Sequence, residues 1–209
     1  MYKLYYSAGS CSRAIHVALL EVGAKFELEP VDFANRSAEF MRLNPRGQVP
    51  VLVADGKALK EGAAILTWVL DKYKSPLMPQ GDGWDRAQAL QWLAWANATL
   101  HPAYGRVFGI RHLEISDDAK KSVAEMYSKQ IYNLWKEAEE RLATSKYLAG
   151  DQLTAADILV TVISAWQPDA LTAPVQFGPN VTRLINEVKN RASYQQAVTT
   201  ETEAASKAA

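Results

Sequence analysis

Asn44-Pro45-Arg46-Gly47-Gln48-Val49-Pro50-Val51-Leu52 joins a turn to an apolar run, with a proline at the joint. Asn-Pro and Gly interrupt whatever precedes them: a residue before proline avoids helical backbone, and glycine adopts left-handed conformations freely. The stretch therefore closes a short helix, read over Ala38 to Leu43, and opens a strand over Val49 to Val53. An X-Pro bond gives up only about 0.5–1 kcal/mol to become cis. A cis Val49-Pro50 bond would turn the carbonyl and N–H of Val49 outward, where an extended peptide can pair with them. Taken alone, a Val-Pro pair is more simply a plain loop-to-strand transition.

Working outward, strands and helices alternate on both sides. Lys3 to Ser7 is short and aromatic-rich, which suits a strand. Ser7-Ala8-Gly9-Ser10 is a turn. From Cys11 towards Val22 an amphipathic helix keeps Ile15, Ala18, Leu19 and Val22 on one face, and Gly23 stops it. Phe26 to Asp32 alternates like a strand, with Pro30 suited to an edge. Asp55-Gly56 is a hairpin dipeptide leading to Ala58-Leu59, and Glu61 opens a helix running to Tyr73. Ser75 to Gly83 is rich in Pro and Gly and reads as a linker. Only helical periodicity follows: Asp85 to about Phe108 with a bend expected at Pro102, Asp117 to Leu142 behind the caps of Ser116-Asp117-Asp118, Ala155 to Trp166, and Val181 to Asn190. The Ala/Thr/Glu-rich tail from Thr199 is expected to fray. Segregation of element types predicts an α/β domain over 1–75, a linker over 76–83 and an all-helical domain over 84–209.

Composition removes several functions. The chain has 209 residues, 48% hydrophobic and 22% charged, which is ordinary globular usage. Lys+Arg and Asp+Glu are both 23, so the basic excess of a nucleic-acid binder is missing. Three His and one Cys exclude a disulfide framework and argue against a Cys/His metal site. No apolar run is long enough to span a membrane. Met1 to Tyr6 lacks the apolar stretch of a signal peptide, which with a free thiol points to the reducing cytoplasm.

Three local constellations carry chemistry. Gly9-Ser10-Cys11-Ser12-Arg13 sets a lone thiol at a strand-to-helix turn. Unpaired N–H groups and the partial positive charge of a helix N-terminus favour a thiolate there. The plainer reading is a small buried hydrophobe. Cys11-Ser12-Arg13-Ala14 has no second Cys, so thioredoxin-type dithiol chemistry is disfavoured. The Val49-Pro50 turn is the second constellation. Lys60-Glu61-Gly62-Ala63 is the third: the N–H groups of Gly62 and Ala63 can bind a carboxylate and Glu61 an ammonium, which together fit an α-amino acid terminus. An acidic residue serving the helix dipole explains Glu61 equally well. Gly150-Asp151-Gln152-Leu153-Thr154-Ala155-Ala156-Asp157 is a folding device. Thr154 is expected to accept the Asp157 N–H, the Asp157 carboxylate to reach back to the Thr154 N–H, and Leu153 and Ile158 to staple the turn.

In this order, and with the cap, these motifs resemble the cytosolic glutathione transferases over nearly the whole chain. The resemblance implies an α/β thioredoxin-like N-terminal domain plus an all-α C-terminal domain, the glutathione transferase fold. Within that family Cys11 and His101, the latter in Thr99-Leu100-His101-Pro102, look like the bacterial beta class, where a Cys and a His face the glutathione sulfur. The resemblance implies that Glu61 pairs with the γ-glutamyl ammonium, that Gly62 and Ala63 hold its carboxylate, and that Val49 beside Pro50 pairs with the cysteinyl backbone. Arg36 and Gln48 are candidates for the glycyl carboxylate. Asn97 is placed near His101, and Tyr104 and Phe108 floor the electrophile cleft. The resemblance further implies glutathione as co-substrate, no metal, a small hydrophobic electrophile, a role in detoxification and a homodimer. Disulfide exchange between Cys11 and glutathione is the other chemistry the resemblance allows. The chain departs from the family at Gly62, often Ser; at Ala94, often Asn in the beta class; and at Arg191-Ala192-Ser193, usually Arg-Pro-Ser. Trp92, Trp95, Trp135 and Trp166 are read as core, and His16 and His112 as structural or exposed. Two alternatives stay open: a zeta-type maleylacetoacetate isomerase, suggested by Ser10-Cys11-Ser12, and a non-catalytic glutathione-binding or regulatory protein.

Overall fold

A computed structural model describes residues 1–168 and 171–208; Ala209, the end of the Thr199 tail, lies outside them. Strands β1 (Tyr2–Tyr6), β2 (Phe26–Pro30), β3 (Val51–Ala54) and β4 (Lys57–Lys60) form one sheet in the order β2-β1-β3-β4. β1 and β2 are parallel, so a crossover must join them, and α1 (Ser12–Glu21) supplies it. β3 and β4 add antiparallel neighbours through the Asp55-Gly56 turn, where both residues take positive φ, 49° and 74°. Leu4 pairs with Leu28 on one side and Leu52 on the other, at the centre of the sheet. The two-residue period then sorts the faces. Tyr2, Leu4, Tyr6 and Leu52 pack in one core with residues of α1 and of α3 (Gly62–Lys72). Tyr5 and Val51 face the other way and bury Phe40 of α2 (Ala38–Leu43). Pro30 ends an edge strand, where its missing N–H costs no ladder bond.

The long helix expected after residue 84 is α4 (Trp84–Trp95), a π turn over Ala96–Leu100, and α5 (His101–Gly109). The irregularity expected at Pro102 sits just ahead of it. The π turn takes in an extra residue where proline removes a donor, and such turns concentrate at functional sites. A short 3₁₀ turn over Ile110–His112 leads to α6 (Asp117–Ala143), then α7 (Ala155–Ser164), α8 (Pro179–Lys189) and α9 (Ala192–Ala208). Every residue of α7 is buried, as expected of a helix apolar on all sides. Its cap is the expected box, the Thr154 side chain accepting the Asp157 N–H and the Asp157 side chain accepting the Thr154 N–H, with further bonds to the Asp157 carboxylate. The Thr154 hydroxyl donates to the Asp157 carboxylate at 3.0 Å, and that carboxylate also accepts the N–H groups of Thr154 (2.8 Å) and Leu148 (2.9 Å). Asp157 is thus the hub of the cap.

The connecting segment is packed, and the expectation of a frayed tail needs correction. Leu77 and Met78 are buried, and the Leu77 carbonyl accepts the Ala155 N–H at 2.9 Å. The tail from Thr199 is a docked helix, with Glu201 buried against α1. At the start of α9, Arg191 makes a bidentate pair with Glu21 of α1 (2.8 and 2.7 Å), and the Ser193 hydroxyl donates to the same carboxylate. The Arg191-Ala192-Ser193 segment therefore ties the two ends of the chain together without a proline.

Candidate active site

A cleft of about 660 Å³ opens between the sheet end of the chain and the π turn. Cys11, Arg36, Gln48, Val49, Pro50, Glu61, Gly62, Asn97 and His101 all line it. Residues far apart in sequence meet there because the β1–α1 turn, the β3 approach and the start of α3 all lie at one edge of the sheet. Asn97 lies in the π turn and His101 is the first residue after it, and both side chains line the cleft.

Cys11 is half-buried at the start of α1. Its Sγ lies 3.8 Å from the Val49 carbonyl, a contact in which the thiol donates. Burial pushes the thiol up to about 11, against the opposing pull of the Cys11 and Ser12 backbone N–H groups. Burial therefore favours the neutral thiol at Cys11: desolvation outweighs the two N–H groups that by themselves would favour a thiolate. Ser10 and Ser12 brace the turn, their hydroxyl oxygens 2.6 Å apart, and the Ser12 hydroxyl also accepts the Ser7 N–H.

The Val49-Pro50 peptide is cis. Glu61 precedes α3 with φ 69°, and the first helical bond runs from the Ile65 N–H to the Glu61 carbonyl, so the Gly62 and Ala63 N–H groups lie before the ladder begins. The Glu61 carboxylate meets the Arg46 guanidinium at 2.5 Å, with both side chains more than half exposed (62% and 63%). So open a pair is weakly held and can exchange partners. Arg36 donates to the carbonyls of Gly47 (3.1 Å) and Phe33 (2.8 Å) and lies over the Phe33 ring at 5.1 Å. Gly47 sits at φ 65°, where glycine is favoured, and a Cβ there would stand 2.7 Å from Arg36 Nε and displace that side chain.

Burial pushes the His101 imidazole below its ordinary value, so the ring is neutral near pH 7. Trp166 packs its edge against that ring with centroids 4.8 Å apart, and its indole N–H donates to the Gly9 carbonyl at 2.9 Å. It lines the cleft, which corrects its assignment to the core. Three other sequence-based placements also change. Tyr104 is fully buried and its hydroxyl accepts the Trp135 indole N–H at 2.8 Å, so it is core; Pro102 and Gly105 take its place in the cleft wall. Phe108 is partly exposed and lines a separate hollow of about 910 Å³, reaching the cleft only through Trp166, 6.1 Å away between centroids. The Ala63 side chain lines a third hollow between α3 and α4, which leaves its backbone N–H as its only link to the cleft. Sequence reasoning missed Arg46 and Phe33 as well as Trp166; Arg46 had a signal in the Asn-Pro-Arg-Gly turn. His16 is buried, donating or accepting at 3.1 Å with Glu201. Among the described residues no three His, Cys, Asp or Glu side chains gather as metal ligands.

Comparison with known proteins gives a consistent pattern. Residues 2–71 match the family described as glutathione S-transferase, N-terminal domain, and residues 97–192 match glutathione S-transferase, C-terminal domain. The chain is 37% identical over 168 residues to glutathione S-transferase GST-4.5 of Xanthomonas campestris pv. campestris, covering 78% of this chain and 81% of that one. A sphingomonad glutathione S-transferase complexed with glutathione is similar in structure, with TM-score 0.82 at 29% identity, covering 96% of this chain and 98% of the other. The bacterial beta class glutathione S-transferase of Sphingomonas chungbukensis is similar too, with TM-score 0.80 at 29% identity over 95% and 98% of the two chains.

Proposed function

This chain belongs to the glutathione S-transferase family, and from that premise we propose how its cleft holds glutathione and where the reaction takes place. The observation that carries the reading is the convergence of Cys11, Val49, Glu61, Gly62 and His101 on one cleft. Residues 1–75 hold the tripeptide, and residues 84–209, reached through 76–83, supply the electrophile wall. The γ-glutamyl ammonium displaces Arg46 from Glu61, and its carboxylate takes the free N–H groups of Gly62 and Ala63 at the α3 terminus. The cysteinyl backbone pairs with Val49 beside Pro50. Arg36, held over Phe33, and Gln48 flank the glycyl carboxylate. Asn97 occupies the position from which it can reach the γ-glutamyl end, since its Oδ1 lies 3.4 Å from where a Gly62 Cβ would be.

The sulfur then lies between Cys11 and His101. The glutathione thiol loses its proton towards the neutral His101 imidazole. Its sulfur forms a bond to the electrophilic carbon, and the leaving group departs with the bonding pair. The electrophile is a small apolar molecule seated against Trp166 and Pro102. A second channel uses Cys11: its thiol gives up its proton as the sulfur attacks glutathione disulfide, one glutathione departs and takes up that proton as the thiol, and a Cys11–glutathione disulfide remains. Detoxification in the cytoplasm fits both channels, and no described helix is long and apolar enough to cross a membrane.

Glu61→Gln tests the tripeptide placement. Calorimetry is expected to show glutathione binding weakened about tenfold, the loss of one charge-assisted bond at an exposed position. Unchanged affinity would remove Glu61 from the ammonium site. The partly exposed Trp68 and Leu90 and the hollow between α3 and α4 suit a second copy of the chain. Sedimentation at micromolar concentration should find a homodimer; a monomer would refute that part.

A further inference from the structure

The hollow of about 910 Å³ beside Phe108 is larger than the cleft, and no step of the reaction described above uses it. Its interior is apolar: Val107, Ile110 and Ala124 are buried there. Its rim is basic. Arg111 in the 3₁₀ turn and Lys120 and Lys121 near the start of α6 line it, against one described carboxylate, Glu125. Arg111 and Lys121 are exposed and Lys120 is half-buried. The remaining wall is the chain after α7, and it is fastened to the rest. The Tyr132 hydroxyl donates to the Ala173 carbonyl at 2.6 Å, the Ser128 hydroxyl accepts the Thr172 N–H at 3.3 Å, and the Gln167 side-chain carbonyl accepts the Val175 N–H at 3.3 Å. Asp169 and Ala170 lie outside the described residues. An apolar interior under a cationic rim fits an organic molecule that carries an anionic group.

The hollow and the cleft share a wall. Trp166 lines the cleft, Gln167 and Pro168 directly after it line the hollow, and the Phe108 ring in the hollow stands 6.1 Å from the Trp166 ring between centroids. On α5, Gly105 is three residues from both Pro102 in the cleft wall and Phe108 in the hollow, so it lies between them on the helix surface. A Cβ on Gly105 would meet nothing within 4 Å. Glycine inside a helix costs about 1 kcal/mol against alanine. Neither close packing nor a left-handed backbone calls for it at this position. The missing side chain instead leaves the helix surface open between cleft and hollow. We propose that the electrophile is an amphipathic organic acid: its reactive carbon lies in the cleft beside Trp166, its apolar chain crosses α5 over Gly105, and its anionic group ends among Arg111, Lys120 and Lys121. The proposal rests on the glutathione reading of the cleft and adds the substrate's chemical class to it. The three cations hold the end remote from the reacting atoms, so their contribution is to binding and is read in KM.

A series of chain lengths measures the path. The probes are chloro-nitrobenzoyl amides of short and long ω-amino acids, each paired with its methyl ester. In all of them the glutathione sulfur bonds to the ring carbon and chloride leaves with the bonding pair. For the wild-type enzyme the KM of the acid should fall below that of its ester as the chain lengthens, by about tenfold at the best length, which is what three exposed ion pairs can supply. Arg111→Gln combined with Lys120→Gln and Lys121→Gln should bring acid and ester together. Lys129→Gln, exposed on α6 and outside the lining of the hollow, is the control and should keep the acid's advantage. Gly105→Leu should abolish the dependence on chain length. An acid no better than its ester at every length overturns the proposal. So does an advantage that Lys129→Gln lowers as far as the triple substitution does, because the preference would then come from the overall field. Should Gly105→Leu fail to fold, the charge substitutions still decide. The same amides without chlorine separate this proposal from the glutathione reading. Failure of the wild-type protein to bind glutathione in calorimetry would refute that reading. Tighter binding of the long chlorine-free acid than of its ester, lost in the triple substitution, would still support the anion site, and equal binding of the two would overturn it.

Discussion

Incubated with oxidised glutathione, the Cys11→Ala protein will keep its unmodified mass, while the wild-type chain gains one glutathionyl group. The effect should be all or nothing, because the chain contains a single Cys. The substitution is mild for the fold: Cys11 is half-buried, makes one weak thiol contact to the Val49 carbonyl, and gives way to a residue that fits a helix start. An adduct surviving on the variant would contradict the assignment. Conjugation can persist, since glutathione brings its own sulfur. The pH dependence adds a sharper test. With the thiol pushed up to about 11, roughly one molecule in 10⁴ is ionised at pH 7. Alkylation of ligand-free Cys11 should therefore climb about tenfold per pH unit through pH 9 and 10. A plateau near the ordinary thiol value, about 8.5, would show that the helix terminus offsets burial after all.

Asp157→Ala should be the most destabilising single change in the helical half. The wild-type carboxylate satisfies the N–H groups of Thr154 and Leu148 and the Thr154 hydroxyl, and both Asp157 and Thr154 are buried. Alanine leaves those donors without an acceptor where water does not reach. Each orphaned buried donor costs about 1–3 kcal/mol, so a total near 3–5 kcal/mol is expected. For a chain of this size that is a fall in Tm of about 10 °C or more. Thr154→Ala removes only one of the three bonds and should cost about 0.5–2 kcal/mol. Thermal unfolding of the two variants checks the order; equal losses would show that Asp157 is not the hub.

What the sequence makes legible is whatever depends on near neighbours. The aromatic run from Lys3 to Ser7 reads as a strand, observed as Tyr2–Tyr6, and Ala38 to Leu43 is bounded by its own breakers. Cys11, Glu61 and Gly62 are readable because each sits at a helix start, where the chemistry is local. Tyr104 defeats that reasoning. Helical spacing shows which residues share a face, and only packing shows what the face meets; Trp135, 31 positions away, takes the Tyr104 hydroxyl into the core. Trp166 fails for the same reason, because its partner Gly9 is 157 residues distant. The tail is the extreme case: its small and polar residues have weak helical amphipathicity, and the contact that fixes it spans 192 positions. Cys11 is a different kind of miss. The helix N-terminus is visible in the sequence, but the burial that overrides it is a property of the assembled cleft.

The π turn at Ala96–Leu100 works as a phase setter for the cleft. Each residue of an α-helix advances the side-chain direction by about 100°. One additional residue in the turn therefore rotates everything downstream by about that angle relative to the axis of α4, without shifting α4 itself. His101 is the first residue past the turn. Its heading is thus decoupled from the register that packs Trp92 and Leu93 into the core, and the helix can serve two sets of neighbours that no uninterrupted spiral could satisfy together.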